Sequence, residues 1–173
     1  GKANIDKIPQ LRPAFSAEGT ITAANSSSIS DGAAALVLAR EAAAKASGLK
    51  PIARLRAQAS HARHPGEFTI APIGAIEKVL HQTGWSVDDV DLFEINEAFA
   101  MVPMLAMQEL GLSHDKVNIH GGACALGHPV GASGARIIVT LIYALQRLGK
   151  QRGIASLCIG GGEAVAVALE MID

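Results

Sequence analysis

The pattern of hydrophobic and polar residues predicts alternating strands and helices from residue 52 to the end of the chain. In the segment 71–84, apolar residues fall on one face of a helix. The full set of predicted strands is 52–59, 90–95, 117–119, 154–158 and 164–171, and the predicted helices are 71–84, 98–110 and 132–148. Strands that alternate with helices and end in two adjacent strands predict an α/β fold. We therefore expect a layered mixed sheet with an antiparallel hairpin at its end.

The residues before position 52 follow a less regular pattern. Residues 1–19 are polar and show no sustained periodicity, so we expect a loop or an arm that lies on a partner. A short strand is predicted at 20–23, and helix propensity predicts a helix over 40–47. The apolar run 33–39 fits either a buried strand or a helix, and its periodicity does not decide between them.

A glycine-rich loop at 121–134 is the strongest candidate for a functional site. It contains five glycines and one proline in fourteen positions, too many for the interior of a helix or strand. His128 is its one titratable histidine, and Pro129 restricts the backbone of the residue before it to extended angles. A stiff loop that presents one imidazole and then begins an apolar helix is typical of an active site. His128 is the candidate base.

Two further candidates lie at the ends of predicted strands. Cys158 precedes three glycines, so it is either a small buried hydrophobic residue or a thiol beside backbone amides that could bind an oxyanion. Asn96 either caps the following helix or holds a water or a substrate oxygen, and the two readings are even. Glu97 fits a structural role in the first helical turn. In open α/β sheets, ligands bind at the carboxyl ends of the strands. The loops that carry Asn96, His128 and Cys158 are all predicted to lie at that edge, so we expect a site there.

Two other arrangements are less favoured. Cys124 lies near His128 in the sequence, but a thiol–imidazole pair is disfavoured because Cys124 occupies the apolar half of the loop. His61 and His64 have no further ligands at a spacing typical of a metal site, so no metal is expected.

Composition and charge exclude several classes of protein. The 173 residues are 49% hydrophobic and only 3% aromatic, which favours a core of small aliphatic residues in a sheet covered by helices on both faces. The net charge of −1 gives no indication of nucleic acid or an anionic membrane as a partner. No apolar run is long enough to span a membrane, we expect no signal peptide, and two cysteines do not form a disulfide framework. We expect a cytoplasmic protein.

Three sequence blocks together resemble the thiolase family, the acetyl-CoA acetyltransferases and 3-ketoacyl-CoA thiolases. They are NEAFA at 96–100, GGACALGHPVGASGAR at 121–136 and CIGGG at 158–162. The upstream blocks GTITA at 19–23 and DGAAA at 31–35 extend the resemblance over essentially the whole chain. It implies a thiolase-like C-terminal domain that acts on coenzyme A thioesters, by Claisen condensation or its thiolytic reverse, without a cofactor.

The resemblance also implies roles for single residues. His128 would activate the nucleophilic cysteine and help to bind the thioester oxygen, and Cys158 would move a proton. Asn96 would hold the water of one oxyanion site, and the amide of Gly160 would contribute to the other. For substrate binding, the matching residues are Ser27, Ala98 and Phe99, along the pantetheine arm of coenzyme A.

The nucleophilic cysteine of the family lies upstream of the residues present here. The resemblance therefore implies a C-terminal half: residues 1–29 end the substrate-binding loop region, 30–51 supply the last strand and helix of the N-terminal domain, and 52–173 form the C-terminal domain. On this basis 33–39 is predicted as a strand. The expected partners are coenzyme A, the N-terminal half and further copies of the complete enzyme, and this chain alone is expected to be inactive. The alternatives are a coenzyme A or acyl-carrier binding module and a dimerisation domain.

Overall fold

The computed structural model describes residues 4–172. Residues 1–3 of the predicted N-terminal loop and residue 173 of the predicted C-terminal domain lie outside the described residues. The helices are α1 Glu41–Ala46, α2 Ala71–Thr83, α3 Met101–Leu110, α4 Ala123–Leu126 and α5 Ser133–Leu148. The strands are β1 Ala53–Ala62, β2 Leu92–Ile95, β3 Arg152–Ile159 and β4 Glu163–Met171. Short 3-10 helices span Ile5–Gln10, Pro65–Ile70 and His114–Lys116.

In the described part of the chain, the four strands form one mixed sheet in the order β1-β4-β3-β2. β2 runs parallel to β3, whereas β4 is antiparallel to both β3 and β1. The predicted α/β class and the antiparallel hairpin at the end of the chain are thus confirmed. The parallel pair leaves the carboxyl ends of β2 and β3 side by side, and this edge holds the candidate site.

Helices cover both faces of the sheet, as the composition predicts. Successive residues of β3 point to opposite faces, so Ile154 belongs to the core cluster that includes α2 and α3 residues, while Ala155 belongs to the cluster that includes α5 residues. On α5 the buried residues Ile137, Leu141 and Leu145 recur every four positions, which places them on one side of the helix. Each such side chain contributes about 1.5–3 kcal/mol when it is fully buried.

The ends of α2 and α5 agree with prediction to within one residue. Gly84 and Gly149 follow the two helices with φ of 70° and 62°, a left-handed conformation that glycine adopts without steric cost. Their amides, and those of the next residues, close the last helical turns.

The predicted start of the helix at 98–110 is wrong by three residues. Residues 98–100 are not part of α3 because the backbone groups of Ala98 and Ala100 form hydrogen bonds with the backbone of residues 25–27. Ser27 N donates to Ala98 O at 3.1 Å, and Ala100 N donates to Asn25 O at 2.9 Å. A contact between residues more than 70 positions apart thus overrides local helix propensity.

The predicted strand at 117–119 is also wrong. Val117 forms a single parallel bridge with Phe93, and Asn118 then adopts φ of 49°, which ends the extended backbone. The Asn118 side chain takes over the pairing: its Oδ1 accepts from Ile95 N and its Nδ2 donates to Ile95 O, both at 2.8 Å. The edge of β2 is therefore satisfied by a side-chain amide.

The two strands predicted in the upstream segment are wrong as well. Residues 20–22 have no regular secondary structure, residue 23 begins a turn, and residues 31–40 form neither helix nor strand. Val37 is 94% exposed and Leu38 76% exposed, so the apolar run meets no neighbouring strand among the described residues. The helix predicted at 40–47 is observed as α1.

Candidate active site

Asn96 and Cys158 lie at the carboxyl ends of the two parallel strands. Ile95 pairs with Ser156 in the β2–β3 register, and Asn96 N continues the pairing by donating to Ser156 O at 2.9 Å. Cys158 lies two residues further along β3. Main-chain pairing therefore holds both residues at the same edge of the sheet, as the sequence predicts.

The Asn96 side chain has unmet hydrogen-bonding capacity. Asn96 is 1% exposed, and neither its Nδ2 nor its Oδ1 has a hydrogen-bond partner among residues 4–172. The helix-cap interpretation is wrong, because α3 begins five residues later and its N-cap residue is Ala100. Burying an amide without partners costs about 1–3 kcal/mol, so Asn96 is suited to hold a water or a ligand oxygen.

His128 is oriented by a hydrogen bond to Ser133, the first residue of α5. His128 Nδ1 lies 2.6 Å from Ser133 Oγ, and the Ser133 hydroxyl lies 3.2 Å from the Pro129 carbonyl oxygen, its acceptor. A hydroxyl has one proton, so a serine that donates to Pro129 accepts from Nδ1–H. In this tautomer, Nε2 carries the free lone pair and is the proton acceptor.

The surroundings of His128 favour its neutral form. Burial lowers the pKa of His128 below its usual 6.5, and the positive charge of Arg136 lowers it further. The imidazole is therefore a free base at neutral pH, which a general base requires.

Cys158 and Gly160 complete this edge. Burial raises the pKa of the Cys158 thiol to about 11, so it is protonated at neutral pH. Gly160 lies in the exposed turn between β3 and β4, and apart from its chain neighbours no atom of residues 4–172 lies within 4 Å of the position a Cβ would take. Arg63 N donates to Gly162 O at 2.9 Å and fixes this turn against the segment after β1. The open side of Gly160 leaves room for a ligand.

Residues of the upstream segment join the two loops of the site. Ser27 Oγ donates to Ala98 O at 2.9 Å, and one residue later Ser28 O accepts from His128 N at 2.9 Å. Phe99 contacts the rings of Phe15 and Phe68 edge-on, with centroids 5.8 and 6.2 Å apart. The three predicted substrate-binding residues, Ser27, Ala98 and Phe99, are thus neighbours beside the His128 loop.

Cys124 has the environment of a packed residue. Its thiol donates to the Glu97 carbonyl oxygen at 3.9 Å. Burial raises the pKa of Cys124 to about 11, and the nearby Glu97 carboxylate adds to the shift. A neutral thiol bonded to Glu97 does not support the thiol–imidazole pair, in agreement with the favoured packing interpretation.

Sequence reasoning missed the contributions of Ser133 and Glu97. In the sequence Ser133 is only one residue of the glycine-rich loop; its spacing of five residues from His128 is the one available signal, and its complete burial is known only from the structure. For Glu97 the sequence predicts a place in the first turn of a helix. Instead it lies in the loop and accepts a hydrogen bond from Cys124 N at 3.0 Å, a contact that no local pattern signals.

Residues 4–172 contain neither a group of metal-binding side chains nor a membrane-spanning helix. Within this range no three His, Cys, Asp or Glu side chains are grouped so as to hold a metal ion. The helices in the same range are all too short or too polar to cross a lipid bilayer.

The family model "Thiolase, C-terminal domain" matches residues 49–171, and "Thiolase, N-terminal domain" matches residues 1–42. The chain belongs to the thiolase family. It is 49% identical over 168 residues to the acetyl-CoA acetyltransferase of Chromobacterium violaceum, an alignment that covers 97% of this chain and 43% of the relative.

Solved thiolase structures share the fold. The acetyl-CoA acetyltransferase of Bacillus anthracis superposes with a TM-score of 0.96 at 45% identity, over 99% of this thiolase chain and 44% of the other. Human mitochondrial 3-ketoacyl-CoA thiolase in complex with CoA superposes with a TM-score of 0.92 at 37% identity, with coverages of 99% and 44%. The chain spans less than half the length of these relatives.

Proposed function

We propose that this chain is the C-terminal half of a thiolase-type acyltransferase, which carries out Claisen condensation of acyl-CoA or thiolysis of 3-ketoacyl-CoA. One observation carries the proposal. Asn96, with its unpartnered buried amide, and Cys158, with its neutral thiol, lie at the ends of the two parallel strands, and the loop that carries the His128 base is hydrogen-bonded to the Asn96 loop. Acyl transfer through a thioester needs a base, a second proton carrier and donors for the oxyanion.

The proposed roles follow from these environments. His128 Nε2 takes the proton of the nucleophilic cysteine, which the N-terminal half supplies, and the imidazolium then helps to bind the thioester oxygen. Cys158 moves a proton on the attacking acyl-CoA or on the thiol of coenzyme A. Asn96 holds a water that donates to one oxyanion, and Gly160 N–H donates to the other.

Substrate binding is assigned to the cluster beside the His128 loop. Ser27 contacts the pantetheine arm, and Ala98 and Phe99 line its tunnel. The partners of this chain are coenzyme A thioesters, the N-terminal half and further copies of the assembled enzyme. The proposed setting is fatty acid metabolism in the cytoplasm, with no cofactor besides the substrates.

The test is coenzyme A-dependent thiolysis of acetoacetyl-CoA. We expect no turnover by the 173-residue chain and robust turnover when it replaces the corresponding C-terminal part of the Chromobacterium violaceum relative. Turnover by the chain alone, with mass spectrometry excluding a second chain, would contradict the assignment of the nucleophile to the other half. A folded chimera that binds coenzyme A but does not turn over would favour a binding module.

A further inference from the structure

Among the residues that the structure describes, side-chain contacts between Glu97 and Cys124 link the Asn96 loop to the His128 loop. Glu97 Oε2 accepts a hydrogen bond from Cys124 N at 3.0 Å, and Cys124 Sγ contacts Glu97 O. Cys124 belongs to α4, the four-residue helix that leads into Gly127 and His128. Glu97 is the residue after Asn96. The carboxylate therefore connects the loop of His128, the proposed base, to the loop of Asn96, the residue proposed to hold the oxyanion water.

Gly122 is shaped to receive this carboxylate. Its φ of −134° and ψ of −165° are extended angles that any residue adopts, so backbone freedom does not explain the glycine. A Cβ at this position would lie 2.5 Å from Glu97 Oε2 and 2.8 Å from its Cγ. Gly122 is also buried. The missing side chain at position 122 is thus what allows the Glu97 carboxylate to reach Cys124 N.

The upstream segment closes a ring of contacts around this link. Ser27 bonds to Ala98 O, and Ser28 O accepts from His128 N. One connection from Glu97 to His128 runs through Cys124 and α4. The other runs through Ala98 and the backbone of residues 27–28. Losing the carboxylate would remove its hydrogen bond to the start of α4, and the Cys124 thiol contact, the Ser133 hydrogen bond and the 27–28 backbone would remain to hold the His128 loop.

We propose that Glu97 is a positioning residue that fixes His128 relative to Asn96 by clamping the start of α4. This inference rests on the proposed function for its effect on turnover, but the clamp itself is a property of the chain. The clamp needs an acceptor oxygen at Oε2 and not a negative charge. An amide of the same shape can therefore replace the carboxylate.

Turnover of the chimera separates this role from a purely structural one. We expect Glu97→Ala to lower kcat about 10–100-fold with KM within about threefold, because small displacements of catalytic groups cost rates of this order. Glu97→Gln should stay within about threefold of wild type in kcat. Glu109→Ala, at an exposed glutamate on α3, is the matched control and should match wild type. An unchanged kcat for Glu97→Ala, or a Glu97→Gln variant as slow as Glu97→Ala, would overturn the proposal.

Gly122→Ala provides a second, independent test. Alone, the added methyl group should displace the carboxylate and lower kcat about tenfold. In the Glu97→Ala background it should cause no further loss, because the side chain it collides with is gone. Such non-additivity is the signature of residues in direct contact. Effects that simply multiply would contradict the clamp.

Nuclear magnetic resonance on the 173-residue chain tests the clamp without catalysis. Glu97→Ala should speed hydrogen exchange at the Cys124 amide at least tenfold and move the pKa of His128 up toward 6.5, as burial is lost. Glu97→Gln should change neither. If the wild-type chimera fails to turn over while these shifts appear, the proposed function is wrong and the clamp stands. If the shifts are absent, the clamp is wrong.

Discussion

Two regions of this chain differ in how they bury their apolar residues. In residues 53–171 the sheet is covered on both faces, and side chains such as Ile154 are fully buried. In residues 11–40 no helix or strand forms, and Ile29, Val37 and Leu38 are 96%, 94% and 76% exposed. Both regions contain apolar runs, so hydrophobicity alone does not separate them. What separates them is whether a partner element lies within the chain.

The irregular region is nevertheless ordered where it contacts the site. Its backbone hydrogen bonds to the folded domain come from residues 25–28, which bond to Ala98, Ala100 and His128. The region thus acts as a strap across the two site loops. We expect the chemistry to reside in the domain and the strap to hold its geometry.

The largest expected effect tests where the chemistry resides. In the chimera, His128→Ala should lower kcat/KM about 10²–10⁴-fold, because it removes the general base. Cys124→Ala should retain most activity, since the clamp uses the backbone amide of that residue and its thiol is neutral. Initial rates of acetoacetyl-CoA thiolysis measure both. Equal losses in the two variants would overturn the assignment of roles within the loop.

The same substitution in the two regions should have very different effects on stability. Ile154→Ala should lower the free energy of unfolding by about 2–5 kcal/mol, because it opens a cavity in the core. Ile29→Ala should change it by less than about 0.5 kcal/mol, since the side chain is solvent-exposed. Urea denaturation of the 173-residue chain, followed by circular dichroism, measures both. A comparable loss in Ile29→Ala would show that the strap is part of the cooperative core.

The contrast between the regions also explains what the sequence could predict. For α2 and α5, periodicity and a closing glycine predict the helices well, because local signals and burial agree. The strand predicted at 33–39 needs a sheet to pair with, and nothing in its own residues shows whether that sheet is present. The late start of α3 and the use of Asn118 as a strand partner depend on contacts between distant residues.

The candidate site divides in the same way. His128, Cys158 and Asn96 could be found because each follows a predicted strand or lies in a glycine-rich loop, and chain topology brings such positions to one edge. Ser133 and Glu97 act through hydrogen bonds whose partners only the folded structure identifies. For Asn96 the sequence leaves the helix-cap and the ligand-holding interpretations even; the start of α3 at Met101 excludes the cap, and the partnerless buried amide among residues 4–172 favours the ligand-holding role.

A buried glutamate in the domain should make the free energy of unfolding depend on pH. This effect is smaller than that of Ile154→Ala, and it requires burial, so the exposed region should not show it. Glu94 lies on β2 with a side chain 3% exposed, and burial raises its pKa from 4.5 to about 7. Arg136 opposes this shift and Glu97 adds to it. The Arg136 Nη1 to Glu94 Oε2 distance of 3.8 Å is too long for a hydrogen bond, so the attraction of Arg136 offsets the effect of burial on the Glu94 pKa only in part.

Because the folded pKa lies above the unfolded value, the folded state binds more protons between pH 4.5 and pH 7. Stability from this group therefore falls as the pH rises through that window, by up to about 3 kcal/mol, and is constant above it. Glu94→Gln removes the titration, so its free energy of unfolding should rise relative to wild type between pH 4.5 and pH 7. At pH 4 the wild-type side chain is neutral, and the difference between the proteins there is the internal reference. Urea denaturation of both proteins at pH 4, 6 and 8 measures this trend. If the difference in free energy of unfolding between Glu94→Gln and wild type is the same at all three pH values, Arg136 stabilises the buried carboxylate as well as water does.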